Sequence, residues 1–195
     1  MRWILGFSAC VCALSGCNSQ PPLDDLGPVS EFRLTERSGR AISLSDLRGR
    51  IWIASFVFTR CTGPCPQVTG TMARLQSELA GKDGVLLVSF TVDPDRDQLE
   101  DLQEYADHFG ADKERWLFLT GPKEVIDPLC EQGFGLGIQR RPGEEITHST
   151  RLTLVDRQGH KRGYFDGRSV DDAGQPVNDL PRLKDALAAL LREQP

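Results

Sequence analysis

Ile51-Trp52-Ile53-Ala54-Ser55-Phe56-Val57-Phe58-Thr59-Arg60-Cys61-Thr62-Gly63-Pro64-Cys65-Pro66-Gln67-Val68 is the stretch on which the fold turns. Ile51 to Phe58 is almost wholly apolar and rich in β formers, which predicts a strand buried on both faces. From Pro66 onward, Val68, Met72, Leu75 and Leu79 recur at steps of four, three and four. That spacing predicts a helix with one apolar stripe. Between strand and helix lie two cysteines, with Pro64 and Pro66 stiffening the turn. Pro66 suits the first position of a helix and biases Cys65 away from helical geometry.

Outward from this stretch the same two periods continue. Phe32 to Thr35 alternates, Ser38-Gly39 can turn, and Ala41 to Leu44 resumes, predicting an opening hairpin. Val85 to Val92 reads as a second buried strand, Trp116 to Leu119 as a third and Thr150 to Val155 as a fourth. Arg157-Gln158-Gly159 turns the fourth into a fifth around Tyr164-Phe165. Helices are predicted over 97–109 (Leu99, Leu102, Tyr105, Ala106 and Phe109 on one face), over 122–132 (Val125, Ile126, Leu129 and Cys130 inward) and from Leu180 to Leu191. Strands that alternate with helices and then end in a hairpin and a helix predict an α/β sandwich. Its mixed sheet is flanked by helices and carries an N-terminal hairpin.

The chain has 195 residues, 39% of them apolar and 26% charged, with 19 Gly and 12 Pro. Its length fits one globular domain. The apolar fraction excludes a disordered chain, and the Gly and Pro content excludes a coiled coil. A net charge of -5 with no basic patch argues against a nucleic-acid partner.

The N-terminus reads as an export signal. Met1-Arg2 is followed by an apolar run from Trp3 to Leu14, shorter than the roughly 20 residues a membrane span needs. Leu14-Ser15-Gly16-Cys17 then resembles the lipobox of bacterial lipoproteins, which implies lipidation of Cys17 and cleavage after Gly16. An ordinary signal peptide and an uncleaved anchor are the alternatives. The expected organisation is a signal over 1–16, a Pro- and Asp-containing tether over 17–28, and a folded domain over 29–193. The domain would sit in the cell envelope, lipid-anchored to a membrane and outside the cytoplasm.

With Cys10 and Cys12 in the signal and Cys17 lipidated, three thiols remain: Cys61, Cys65 and Cys130. One close pair and one single thiol do not make a disulfide framework. Cys130 lies on the apolar stripe of its helix and reads as core. The pair sits where unpaired N–H groups and the helix dipole favour a thiolate, and Arg60 adds positive potential. Such thiols suit redox exchange or capture of a soft metal: Cu(I), zinc or iron–sulfur iron. Two ligands under-coordinate a metal. His148, just before the fourth strand, is the candidate third, although alone it reads more readily as a hydrogen-bonded loop or core histidine. His160 lies on a hairpin tip and His108 near a helix end. Asp93 in Val92-Asp93-Pro94-Asp95 could orient a ligand or dock a partner, or simply form a turn.

Taken together, these pieces resemble the SCO/SenC family. They are Phe56 to Cys61 with Cys65-Pro66, Thr91-Val92-Asp93-Pro94-Asp95-Arg96-Asp97, and His148-Ser149-Thr150 followed by Leu152 to Asp156. The resemblance implies a thioredoxin-like fold. It also implies a copper site, holding Cu(I) or Cu(II), built from Cys61, Cys65 and His148. The implied role is a membrane-tethered metallochaperone that takes copper from a donor and passes it to the copper-site subunit of cytochrome c oxidase, or reduces that site's thiols. One departure stands out: family members commonly carry an acidic residue between the cysteines, and Thr62-Gly63-Pro64 has none. Three other readings stay open. They are a thiol–disulfide oxidoreductase using Cys61 and Cys65, a zinc site on the same ligands, and a binding module without chemistry.

Overall fold

The computed structural model describes residues 23–193 apart from 172, 176 and 178. The signal read over 1–16, the lipidation site Cys17 and the first residues of the tether lie outside the described residues. No described helix is long and apolar enough to cross a membrane.

The stretch from Ile51 to Val57 forms β3, an interior strand of a seven-stranded mixed sheet, and every residue of it is buried. β4 (Val85–Thr91) pairs parallel to it, and β5 (Trp116–Thr120) parallel to β4. The predicted opening hairpin is β1 (Arg33–Glu36) and β2 (Ala41–Ser43), and β1 closes on β5 in antiparallel register. On the other side β8 (Arg151–Val155) lies antiparallel to β3, and β9 (Lys161–Asp166) antiparallel to β8. The strand order is β2-β1-β5-β4-β3-β8-β9.

Because successive side chains of a strand point to opposite faces, β3 feeds two cores at once. Trp52, Ala54 and Phe56 enter a cluster with Phe90, Leu129 and Phe134, while Ile51 and Ile53 enter another. α2 (Cys65–Glu78), α3 (Leu99–His108) and α5 (Leu180–Arg192) cover the second face. The predicted stripe of α2 does this: Val68, Met72 and Leu75 are fully buried there. Each such side chain stabilises the fold by about 1.5–3 kcal/mol relative to exposure. The short α1 (Leu44–Leu47) and α4 (Lys123–Pro128) lie elsewhere along the chain. The architecture is the predicted α/β sandwich with a mixed sheet and an N-terminal hairpin.

Three features depart from the sequence reading. The helix expected over 122–132 divides: α4 stops at Pro128, and Leu129–Gly133 continues as a π turn. Proline offers no N–H and its ring crowds the preceding turn, so the regular ladder ends at it, and beyond it the Phe134 N–H closes a wider turn on the Leu129 carbonyl at 2.9 Å. Second, Ile138–Gln139 (β6) and Thr147–His148 (β7) pair as a two-residue hairpin outside the main sheet. Strands that short carry no readable period. Third, residues 23–28, expected as the end of a tether, run along β9. The Leu26 N–H donates to the Lys161 carbonyl at 2.9 Å and the Lys161 N–H to the Gly27 carbonyl at 3.0 Å. The buried Lys161 ammonium adds bonds to the Pro28 and Gly133 carbonyls at 2.8 and 2.6 Å. An edge strand leaves backbone groups that need partners, and this segment supplies them. The ordered body therefore begins before Val29.

Candidate metal centre

β3 delivers the chain to the site. After Val57 it turns through Phe58-Thr59-Arg60, and the Cys61 N–H donates to the Phe58 carbonyl at 3.3 Å. Pro64 caps α2, with its carbonyl accepting the Gln67 and Val68 N–H groups at 3.0 and 3.2 Å. Cys65 is the first helical residue and Pro66 the second, one position later than the sequence predicts. Pro66 loses nothing there, since N–H groups of the first turn have no intrahelical acceptor.

Both cysteines, and Cys130, are free thiols. Cys65 is fully buried, whereas Cys61 is half-buried at the turn. The Cys65 side chain hydrogen-bonds the Cys61 sulfur, as do the Cys65 and Gly63 backbone N–H groups, and Cys61 is thereby lowered to about 6. Holding the shared proton, and out of water, the Cys65 thiol is raised. The thiolate therefore settles on Cys61 rather than on Cys65, the first helical residue, chiefly because the Cys65 thiol donates to Cys61 and then because the first helical N–H points back at it. Arg60, expected to add positive potential, reaches instead toward Asp101 at 4.0 Å.

His148 arrives from β7. Its Nε2 stands 3.3 Å from the Cys65 sulfur, across 83 residues of sequence. Its Nδ1 lies 2.9 Å from the Ser149 carbonyl. A carbonyl can only accept, so Nδ1 carries the proton and the Nε2 lone pair faces the sulfur. Burial lowers the His148 pKa and keeps the ring neutral, the form that binds metals. The ring packs edge-on against Phe58, with centroids 5.8 Å apart.

Two donors sharing one metal, with bonds near 2.0 Å to nitrogen and 2.3 Å to sulfur, stand roughly 3.5 Å apart. Cys65 and His148 already have that separation. Among the described residues no three His, Cys, Asp or Glu side chains stand fully gathered as a metal-binding group. The preformed part is the Cys65–His148 pair, with Cys61 beside Cys65 in the turn.

Of the carboxylates, Asp93 does not face the thiols. It pairs with Arg96 Nε at 2.5 Å, and its carbonyl accepts the Arg96 and Asp97 N–H groups, so it builds the turn. Asp97, to which the sequence reading assigns no role, reaches the start of the cysteine turn at Thr59. Buried, it accepts the Thr59 N–H at 3.1 Å, the Thr59 hydroxyl at 2.6 Å and the Thr91 hydroxyl at 2.5 Å. The capping box of α3 is made by Gln98 and Asp101, so Asp97 serves this turn and not the helix cap. Behind Cys65, Thr69 donates to the Cys65 carbonyl at 2.9 Å and lies 2.8 Å from the Tyr105 hydroxyl.

The remaining candidates lie apart from this group. Cys130 is buried in the π turn, its thiol donating to the Leu136 carbonyl at 3.5 Å and pushed up to about 12 by burial. It is core, as its stripe predicts. His160 pairs with Asp25 at 2.9 Å, and His108 packs on Phe109.

Comparison with known proteins identifies the family. The SCO1/SenC family model matches residues 23–183. A Bacillus subtilis SCO1 protein homolog is 31% identical over 180 residues, covering 89% of this chain and 92% of its own. A Stutzerimonas stutzeri protein whose name proposes copper binding is 30% identical over 165 residues, covering 80% of this chain and 77% of its own. The structure of BsSco, from work identifying a disulfide switch in that member of the Sco family of cytochrome c oxidase assembly proteins, superposes with a TM-score of 0.74. It is 26% identical and covers 89% of this chain and 100% of its own. The chain belongs to the SCO1/SenC family.

Proposed function

We propose that this protein carries copper, binding it through Cys61, Cys65 and His148, and passes it to the copper-site subunit of cytochrome c oxidase. The observation that carries the reading is the 3.3 Å approach of His148 Nε2 to the Cys65 sulfur. A thiol pair alone serves dithiol exchange equally well. An unprotonated imidazole nitrogen aimed at the buried sulfur adds what a soft metal requires and a disulfide does not. Two thiolates and one imidazole suit Cu(I) best, and the same set accepts Cu(II). Zinc could use these donors, but the likeness to the Stutzerimonas stutzeri protein favours copper.

The residues divide the work. Cys61 is already close to a thiolate at neutral pH and makes the first bond. Cys65 gives up its proton as the metal arrives, so uptake releases a proton. His148 is held in the correct tautomer by the Ser149 carbonyl. The oxidase role rests on membership of a family in which BsSco is counted among oxidase assembly proteins. Lipidation at Cys17 would hold the domain at a membrane, outside the cytoplasm, with residues 23–28 fixed to β9 at the domain end of the tether.

The deciding experiment is titration of the reduced soluble domain with Cu(I), followed by oxidation. One copper per chain and a thiolate-to-Cu(II) charge-transfer band are expected. Zinc retained in preference to copper would overturn the reading.

A further inference from the structure

Glu145 joins the two loops that carry the thiols and the imidazole. Its Oε1 accepts the Thr62 backbone N–H at 3.1 Å and the Thr62 hydroxyl at 3.2 Å. Thr62 follows Cys61 directly, and Glu145 precedes His148 by three residues. The cations of the same loop are engaged elsewhere: Arg140 with Asp127 at 2.6 Å and Arg141 with Glu144 at 3.4 Å. The Glu145 carboxylate is thus turned to the cysteine turn, whose own spacer Thr62-Gly63-Pro64 carries no acid.

Apart from this contact and the approach of His148 to Cys65 and Phe58, each loop is held from its own side. The cysteine turn hangs between Phe58 and α2. The His148 loop is held by the Ile138–His148 pairing and by the Ser149 N–H on the Gly137 carbonyl at 3.2 Å. Both loops contain exposed glycine: Gly63 in one, and Gly143, with φ of +78°, in the other. A carboxylate accepting two donors from the opposite loop restricts both. It lowers the ordering that ligand capture would otherwise require.

We propose that Glu145 is a positioning residue of this site, clipping the His148 loop onto the cysteine turn and so setting how the imidazole meets Cys65. The geometric part stands on the metal-free protein alone; only the effect on metal release rests on the copper reading.

The test uses Glu145→Ala and Glu145→Gln, both at an exposed position where folding is not at stake. In the reduced, metal-free protein, amide exchange at Thr62 is expected to rise about tenfold in Glu145→Ala and to recover most of the way in Glu145→Gln, which keeps an acceptor oxygen. The His148 Nε2 nitrogen shift should move in Glu145→Ala as its contact with Cys65 loosens. Transfer of bound Cu(I) to a competing chelator should quicken about tenfold in Glu145→Ala, as losses of ligand-orienting groups do. An unchanged Thr62 exchange rate, or an unchanged His148 nitrogen shift, in Glu145→Ala overturns the proposal. A wild-type chain that takes up no copper would sink the copper reading while leaving the metal-free measurements to decide the clip.

Discussion

Thr59 is tied to Asp97 twice, through its backbone N–H at 3.1 Å and its hydroxyl at 2.6 Å. The contact crosses 38 residues and joins the strand end that precedes Cys61 to the start of α3. It converts a flexible exit from β3 into a fixed platform for the thiols. Asp97→Ala strips three donors of their acceptor in a buried place, and each unsatisfied donor costs about 1–3 kcal/mol. We expect a loss of at least that of one donor in urea unfolding, with faster amide exchange at Thr59. A midpoint equal to wild type would mean that water replaces the carboxylate without penalty.

The two site thiols should differ sharply in reactivity. Cys61, at about 6, is largely thiolate at neutral pH, whereas Cys65 is raised. Alkylation of reduced protein should therefore fall on Cys61, with a rate that climbs through pH 6 and then levels off. The depressed thiol also has a stability sign. Its contribution is full above the ordinary value of 9.0 and is lost as pH falls through about 6. The stability gap between wild type and Cys61→Ser should hence widen from pH 5 to pH 8 under reducing conditions. Preferential labelling of Cys65 would reverse the assignment.

What could be read from the chain, and what could not, follows from range. β3, β4 and the stripe of α2 are local patterns in which each apolar residue declares its face by spacing. The thiol pair is equally local. His148 could be singled out because few histidines exist and only this one opens a late strand, but its 3.3 Å approach to Cys65 is a product of topology: β8 pairs beside β3 and brings β7 with it. Asp97 and Glu145 remained silent because an acid on a turn looks the same whether it faces water or a threonine. Residues 23–28 resemble a linker in composition, and only the unfilled edge of β9 explains their order. The π turn follows Pro128, and a single widened turn has no periodic signature.

Two cations hold that N-terminal segment: Arg162 donates to the Asp24 and Leu23 carbonyls, each at 3.0 Å, and Lys161 anchors its far end. Lys161 lies buried with its ammonium on the carbonyls of Pro28 and Gly133. Lys161→Met keeps the stem's volume but leaves both carbonyls without a donor, a cost of about 1–3 kcal/mol each before water enters. Proteolysis near residues 23–28 and amide exchange at Leu26 should increase at least several-fold, with β3 and β4 still protected. Unchanged exchange at Leu26 would show that the backbone pairing to β9 and the Arg162 bonds suffice without Lys161.

Removing the imidazole separates a copper carrier from a plain dithiol protein. Loss of a group that only orients a metal ligand lowers affinity by about 10–100-fold, so loss of the donor itself should cost at least about a hundredfold. His148→Ala should therefore weaken Cu(I) binding by that factor and change the charge-transfer spectrum of the oxidised complex. The Cys61–Cys65 pair should still form a disulfide reversibly, because neither sulfur has been altered. Cys130→Ser supplies the contrast. It places a hydroxyl in the apolar π turn and should lower stability by about 1–3 kcal/mol, yet leave copper affinity as in wild type, since its thiol is turned to the Leu136 carbonyl. Affinity in His148→Ala within a few-fold of wild type would remove the histidine from the ligand set, and the site would then be a thiol pair with a neighbouring imidazole.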